Sequence, residues 1–390
     1  MGGNRQHGPQ GEGSQGEGPQ GRDTGTKGRG RYVSTGHLPS PRQVQDAVDE
    51  AYRVYRPETG GENSRTYPAL ARVPGDLFGI CVAGVSGSIY RAGDAGYEFT
   101  IMSVAKPFVF ALVCETLGAE EVRQKLGVNA TGLAFDSLAS VERSADGRSN
   151  PMVNAGAIAA VSLMPGDSSE EKWLSIREGL SRFAGRDLML SDEVYASASA
   201  ANHRNRAIAN LLASRERIYW DPAESVDLYT RQSCLITSAE DLAVMSATLA
   251  DGGINPVTGL RVVTPAVCQH ALAVMATAGM YQTSGDWLFD VGAPGKSGIG
   301  GGIMAVSPGK GGLGTFAPPL DNAGNSVKGQ LVARFLSRRL GLSLFASEPD
   351  PVTARTARRP ARGTPPPRKT AGAAEGRASS NRRTGIRRAP

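Results

Sequence analysis

Phe99-Thr100-Ile101-Met102-Ser103-Val104-Ala105-Lys106-Pro107-Phe108 sets a hydroxyl and an amine three residues apart at the start of an apolar run. In a helix beginning near Ser103, that spacing puts both side chains on one face. Pro107 suits such a start, because a first-turn N–H has no intrahelical partner to lose. Ser103 then stands at the positive helix end, where its backbone N–H can face a developing oxyanion. A lysine kept dry by Phe99 and Phe108 can shed its proton near neutral pH. An N-capping serine beside a solvated lysine would have the same spelling.

Far downstream, Lys296-Ser297-Gly298 is followed by Ile299-Gly300-Gly301-Gly302. Together the two elements match, in type and order, the S-x-x-K and K-T-G motifs of class A β-lactamases and penicillin-binding proteins. The glycines let a substrate lie against a strand, and the Ile299 N–H can be a second oxyanion donor. A plain glycine-rich turn is the alternative.

Working outward, residues 78–85 and 88–91 flank Ser86-Gly87 and read as a β-hairpin. Residues 301–307 and 312–317 around Pro308-Gly309 read as a second hairpin. Residues 43–55, 174–183, 206–215, 239–249 and 327–340 carry helical patterns. Strands at both ends and helices between predict an α/β (α+β) chain with one antiparallel sheet, terminal helices on it, and a mostly helical lobe over about 100–276. A cleft between sheet and lobe is the natural place for a site.

This domain is expected over 41–346, with the sheet built from 78–91 and 301–317. Residues 1–40 are rich in Gly, Gln and Arg, and 347–390 in Pro, Ala and Arg. Neither can bury enough apolar surface to offset its ordering entropy, so both are expected to be disordered. The chain's net charge of +6 belongs to these ends. Residues 347–390 hold eleven basic against three acidic groups, and 41–346 sum to about −4. No nucleic-acid-binding core is indicated. Cys81, Cys114, Cys234 and Cys268 form no C-x-x-C pair, which predicts neither a zinc site nor a disulfide framework and fits a reducing compartment. No leader-like apolar segment or apolar run of about 18 residues occurs, so the expectation is a cytoplasmic protein with no membrane partner.

Histidine, the usual base for a serine nucleophile, occurs four times, and only His203 and His270 lie well inside the domain, neither in a motif. The amine of Lys106 is the better base. The serine-dependent glutaminases share longer stretches. These are Asn150-Pro151-Met152-Val153-Asn154-Ala155-Gly156-Ala157-Ile158, Leu249-Ala250-Asp251-Gly252-Gly253-Ile254-Asn255-Pro256, Gly279-Met280-Tyr281 with Ser284-Gly285, and Pro318-Pro319-Leu320-Asp321 leading to Gly324-Asn325-Ser326-Val327. From about residue 61 to 345 the chain resembles that family, whose members have a β-lactamase/transpeptidase-like fold and need no metal or cofactor.

The resemblance implies hydrolysis of glutamine to glutamate and ammonia through an acyl-enzyme. Ser103 matches the nucleophile and Lys106 its base. Tyr229 and Tyr281 match tyrosines that contact substrate and relay protons. Asn154 and Asn205 match asparagines that hold the substrate, and Ile299 matches a valine whose N–H completes the oxyanion hole. A small-molecule substrate and a homo-oligomer are likewise implied. Without the resemblance, turn formation for the asparagines and core packing for the tyrosines are the ordinary uses.

Three positions depart from the family pattern. A glutamate that pairs with the α-ammonium of glutamine is replaced by Ala198, and an unpaired buried ammonium costs about 3–5 kcal/mol. A tyrosine expected two residues before Pro68 is Thr66, with Tyr67 one step later. The family's Gln-Cys-Ser reads Gln232-Ser233-Cys234. Ala198 and Thr66 keep open a binding or regulatory protein that has lost turnover, and the shared S-x-x-K and K-S-G pattern keeps open a penicillin-recognising acyl enzyme.

Overall fold

The computed structural model describes residues 36–346; the readings for 1–35 and 347–390 lie outside the described residues. Among those described there are seven strands: β1 (Gly79–Gly84), β2 (Ile89–Gly93), β3 (Phe99–Thr100), β4 (Ile236–Thr237), β5 (Gly295–Ser297), β6 (Gly302–Ser307) and β7 (Gly311–Phe316). The two expected hairpins are β1–β2 and β6–β7, and they join edge to edge. Ile80 faces Thr315 and Ala83 faces Gly312, closing an antiparallel sheet of order β2-β1-β7-β6-β5.

Every residue of β1, β6 and β7 is buried, where a one-sided antiparallel sheet would alternate. Both faces are covered. On one, Val44 and Val48 of the Pro41–Tyr55 helix and Val332 and Leu336 of the Val327–Leu340 helix meet Ile80, Val82 and Leu313. On the other lies the Ala239–Ala250 helix, whose Ala243 and Ala247 pack on Cys81 and Ala83. Its approach requires glycine in β7: a Cβ on Gly314 would stand 2.1 Å from the Ala239 carbonyl oxygen. This helix falls within the range read as lobe, yet it backs the sheet.

Helix ends follow local chemistry. Pro41 opens the first helix while the Gln43 side-chain oxygen accepts the Ser40 N–H at 3.1 Å. The patterns read at 174–183 and 206–215 extend to Ser169–Ala184 and His203–Ser214. Ser168 caps the former by accepting the Glu171 N–H. The lobe forms its own core, in which Phe108, Ile158, Leu180 and Leu228 are fully buried. No single helix among the described residues is long and apolar enough to cross a membrane.

Two arrangements decide where the chemistry sits. Ser103 lies in a 3-10 turn, Met102–Ala105, and the α-helix proper is Lys106–Leu117 with Pro107 in its first turn. The helix expected to begin near Ser103 thus starts one tight turn earlier than its α-helical part. The two-residue β3–β4 ladder, extended by the Ile101 N–H to the Leu235 carbonyl at 2.9 Å, ties this turn to the end of the Pro222–Ser233 helix.

Candidate active site

Ser103, Lys106, Asn154, Asn205, Tyr229, Tyr281 and Ile299 come from six segments and converge where the sheet edge meets the lobe. Lys106 is 2% exposed, and its Nζ lies 2.6 Å from Ser103 Oγ. The same nitrogen donates to Asn154 Oδ1 at 2.9 Å. Burial pushes the Lys106 ammonium down to about 7, against the opposing pull of Asp136. A neutral amine held 2.6 Å from a hydroxyl has a lone pair able to take its proton.

Asn154 opens the Asn154–Ser162 helix, and its side chain is held by a one-way relay. Its Oδ1 also accepts the Tyr229 hydroxyl at 3.0 Å, while its Nδ2 donates to Asn205 Oδ1 at 2.9 Å. Asn205 Nδ2 donates to Asn202 Oδ1 at 2.5 Å, and Asn202 Nδ2 to Thr230 Oγ1 at 2.6 Å. Each amide is oriented by the next, so the oxygen of Asn154 is fixed toward Lys106. Asn202 has no motif of its own; its signal is its place as the cap residue of the His203–Ser214 helix, three residues before Asn205.

Tyr229 rides the Pro222–Ser233 helix, which starts at Pro222 with Asp221 accepting the N–H groups of Ala223 and Glu224 at 2.9 Å each. Tyr281 donates to the Ser297 carbonyl at 3.0 Å. Burial raises both phenols well above the ordinary tyrosine value. Lys296, fully buried, donates to the Ser297 carbonyl at 2.6 Å and lies 4.3 Å from the Tyr281 ring centre. Burial, then the charge of Lys106, holds it well below the ordinary lysine value.

The Lys-Ser-Gly segment is itself the edge strand β5, and the glycines beyond it press against the serine turn. A Cβ on Gly298 would lie 3.0 Å from the Ile101 carbonyl oxygen, and one on Gly300 3.0 Å from that of Thr100. No backbone carbonyl among the described residues takes the Ile299 N–H. Met102 (φ 48°) and Tyr281 (φ 57°) both hold left-handed backbone without being glycine, a strain of order 1–3 kcal/mol each beside the serine. Two residues before Tyr281, Gly279 lets the helix end close onto β5, since a Cβ there would sit 1.9 Å from the Gly295 carbonyl oxygen. Gly279→Ala is therefore expected to cost about 1–3 kcal/mol of stability in thermal unfolding. Gly285→Ala, with nothing within 4 Å, should be near neutral.

In front of Ser103 is a cavity of about 90 Å³ lined by Thr66, Tyr67, Ser103, Asp136, Asn154, Arg204, Asn205, Tyr229 and Ile299 among others. Lys106 and Tyr281 are not part of its lining. Thr66 and Tyr67 both reach the wall, so the one-step shift of the tyrosine keeps a phenol at the cavity; burial raises Tyr67 to about 12. Ala198 is 1% exposed in an apolar cluster with Met102 and Ile299, and Glu193 on its helix turns outward to Arg72. Of three larger hollows, two of about 610 Å³ each, beside Glu62 and Lys328 and beside Arg123 and Arg148, share no residue with this cavity, and one of about 550 Å³ shares Thr66, Phe135 and Ile299 with it.

A family model described as Glutaminase matches residues 61–345. The chain belongs to the glutaminase family. It is 63% identical over 318 residues to glutaminase 2 of Yersinia pestis, covering 82% of this chain and 94% of that protein. A glutaminase of Brucella canis is 48% identical over 304 residues, 78% of this chain and 96% of its own. Among solved structures, the probable glutaminase ybaS superposes with a TM-score of 0.78 at 42% identity, over 79% of this chain and all of that one. A Bacillus glutaminase gives 0.70 at 31% identity, over 78% and 99%. The β-lactamase-like fold of the glutaminases is thus the fold of this chain.

Further residues of the glutaminase stretches hold backbone in place around the site. Asn150 donates to the Val128 and Asn129 carbonyls at 2.9 and 3.0 Å, fixing the loop ahead of Asn154. Asn255 donates to the Phe183 carbonyl at 2.9 Å, and Asp321 accepts the Ala323 N–H at 2.9 Å and the Asn325 N–H at 3.0 Å.

Proposed function

We propose that this chain hydrolyses L-glutamine to L-glutamate and ammonia through a Ser103 acyl-enzyme. The observation that carries the reading is the 2.6 Å approach of a buried, easily deprotonated amine to the serine hydroxyl. Ser103 Oγ attacks the side-chain carboxamide carbon while Lys106 Nζ takes the hydroxyl proton. The N–H groups of Ser103 and Ile299 receive the oxyanion. Collapse of the tetrahedral intermediate breaks the C–N bond, and the nitrogen leaves as ammonia with a proton from Lys106, relayed by Tyr229 or Tyr281. Water then attacks the ester, Lys106 takes its proton, and the Ser103 oxygen recovers one as glutamate leaves. Asn154 and Asn205 hold the substrate.

Family membership and the intact serine–lysine geometry favour turnover over a binding-only role. A cytoplasmic, homo-oligomeric enzyme belongs to the same reading, the location supported by four buried free cysteines and the oligomer by the family resemblance. The tests are ammonia release by purified protein from glutamine and asparagine and, in parallel, labelling of Ser103 by a fluorescent β-lactam. Ammonia from glutamine is expected; none from any amide, or stable β-lactam labelling of Ser103 without ammonia, would sink the reading.

A further inference from the structure

We propose that Asp136 supplies the counter-charge for the substrate's α-ammonium and so sets the preference of this site for an amino acid over a plain amide. The inference rests on the glutamine-hydrolysing reading above and names a residue which that reading leaves open. Glutamine enters as a zwitterion, and an ammonium that loses its water without meeting a carboxylate pays heavily in binding. Ala198 offers only a methyl group in apolar surroundings, and Glu193 is committed to Arg72 at the surface. Among the described residues lining the cavity, Asp136 is the one carboxylate.

Its position is fixed by the catalytic framework itself. The neighbouring Phe135 carbonyl accepts the Asn154 N–H at 2.8 Å, and the Phe135 ring lies 4.7 Å from that of Tyr281. Arg204 Nε donates to the Asp136 carbonyl at 2.8 Å and stands 3.4 Å from its carboxylate. A carboxylate accepts about four hydrogen bonds, so this single, part-exposed contact leaves room for an ammonium. With Arg204 also in the wall, the rim presents one negative and one positive group, the complement of a zwitterionic head. The charge of Asp136 is felt within the site, opposing the burial that lowers Lys106 and adding to the burial that raises Tyr67.

The test compares glutamine with glutaramate, which is glutamine without its α-amino group. Asp136→Asn keeps the side chain's shape and removes its charge. Against glutamine the variant should show KM raised about 10- to 100-fold, a range that allows for partial solvent screening. Its KM for glutaramate, or its Ki where that compound does not turn over, should stay within about twofold. Asp136→Glu, which keeps the charge, should recover most of the glutamine preference. Equal losses on both compounds, or an unchanged KM for glutamine in an active wild-type enzyme, would overturn the assignment of Asp136 alone. Absence of ammonia from glutamine with the wild-type protein would overturn the underlying reading as well.

Discussion

Ser103→Ala lowers glutamine hydrolysis by about 10⁴-fold or more while leaving the fold in place. The side chain is small, and the hydroxyl's removal changes little in packing. Asn154 still accepts from Lys106, so the buried amine keeps a partner and the stability cost stays at about 1 kcal/mol. What disappears is the one hydroxyl, among the described residues, that the Lys106 amine hydrogen-bonds. Steady-state ammonia release, with thermal unfolding as the control, separates the two effects. Residual activity within tenfold of wild type would mean another group attacks the amide.

Lys106→Met removes the base but keeps an unbranched apolar stem, and is expected to lower kcat by about 10²–10⁴-fold. Lys106→Arg should not restore it, because a guanidinium holds its proton throughout the working range. The wild-type pH profile follows from the same burial. Lys106 must be neutral to accept a proton, and burial lowers it to about 7, so kcat/KM should rise as pH climbs through about 7. Asp136 favours the charged form of Lys106, so Asp136→Asn should shift this acid limb toward lower pH. A flat profile from acid to alkaline pH, or full activity in Lys106→Met, would contradict the base assignment.

The serine–lysine pair was legible because it is local, two side chains within one turn. The sheet was legible too, since each hairpin carries its own turn and the two meet by edge pairing of β1 with β7. Much of the remaining site is non-local. The relay from Asn154 through Asn205 and Asn202 to Thr230 joins three helices, and nothing in any one segment announces the others. β3 and β4 are two residues each, too short for an alternation of period two to show. Asp136 lies between helices, placed by a neighbour's carbonyl rather than by any periodicity. The Pro222–Ser233 helix does carry a local signal, Asp221-Pro222 with Glu224 in the first turn. The covering role of the Ala239–Ala250 helix was written in its partner strand, where Gly312 and Gly314 leave one face bare.

Rapid acid quenching of the enzyme with glutamine, followed by peptide mass spectrometry, looks directly for the bond on which the mechanism turns. A glutamyl ester on Ser103 that forms and decays within the turnover time is the expected result. Undiminished ammonia release with Ser103 unmodified at every time point would contradict it.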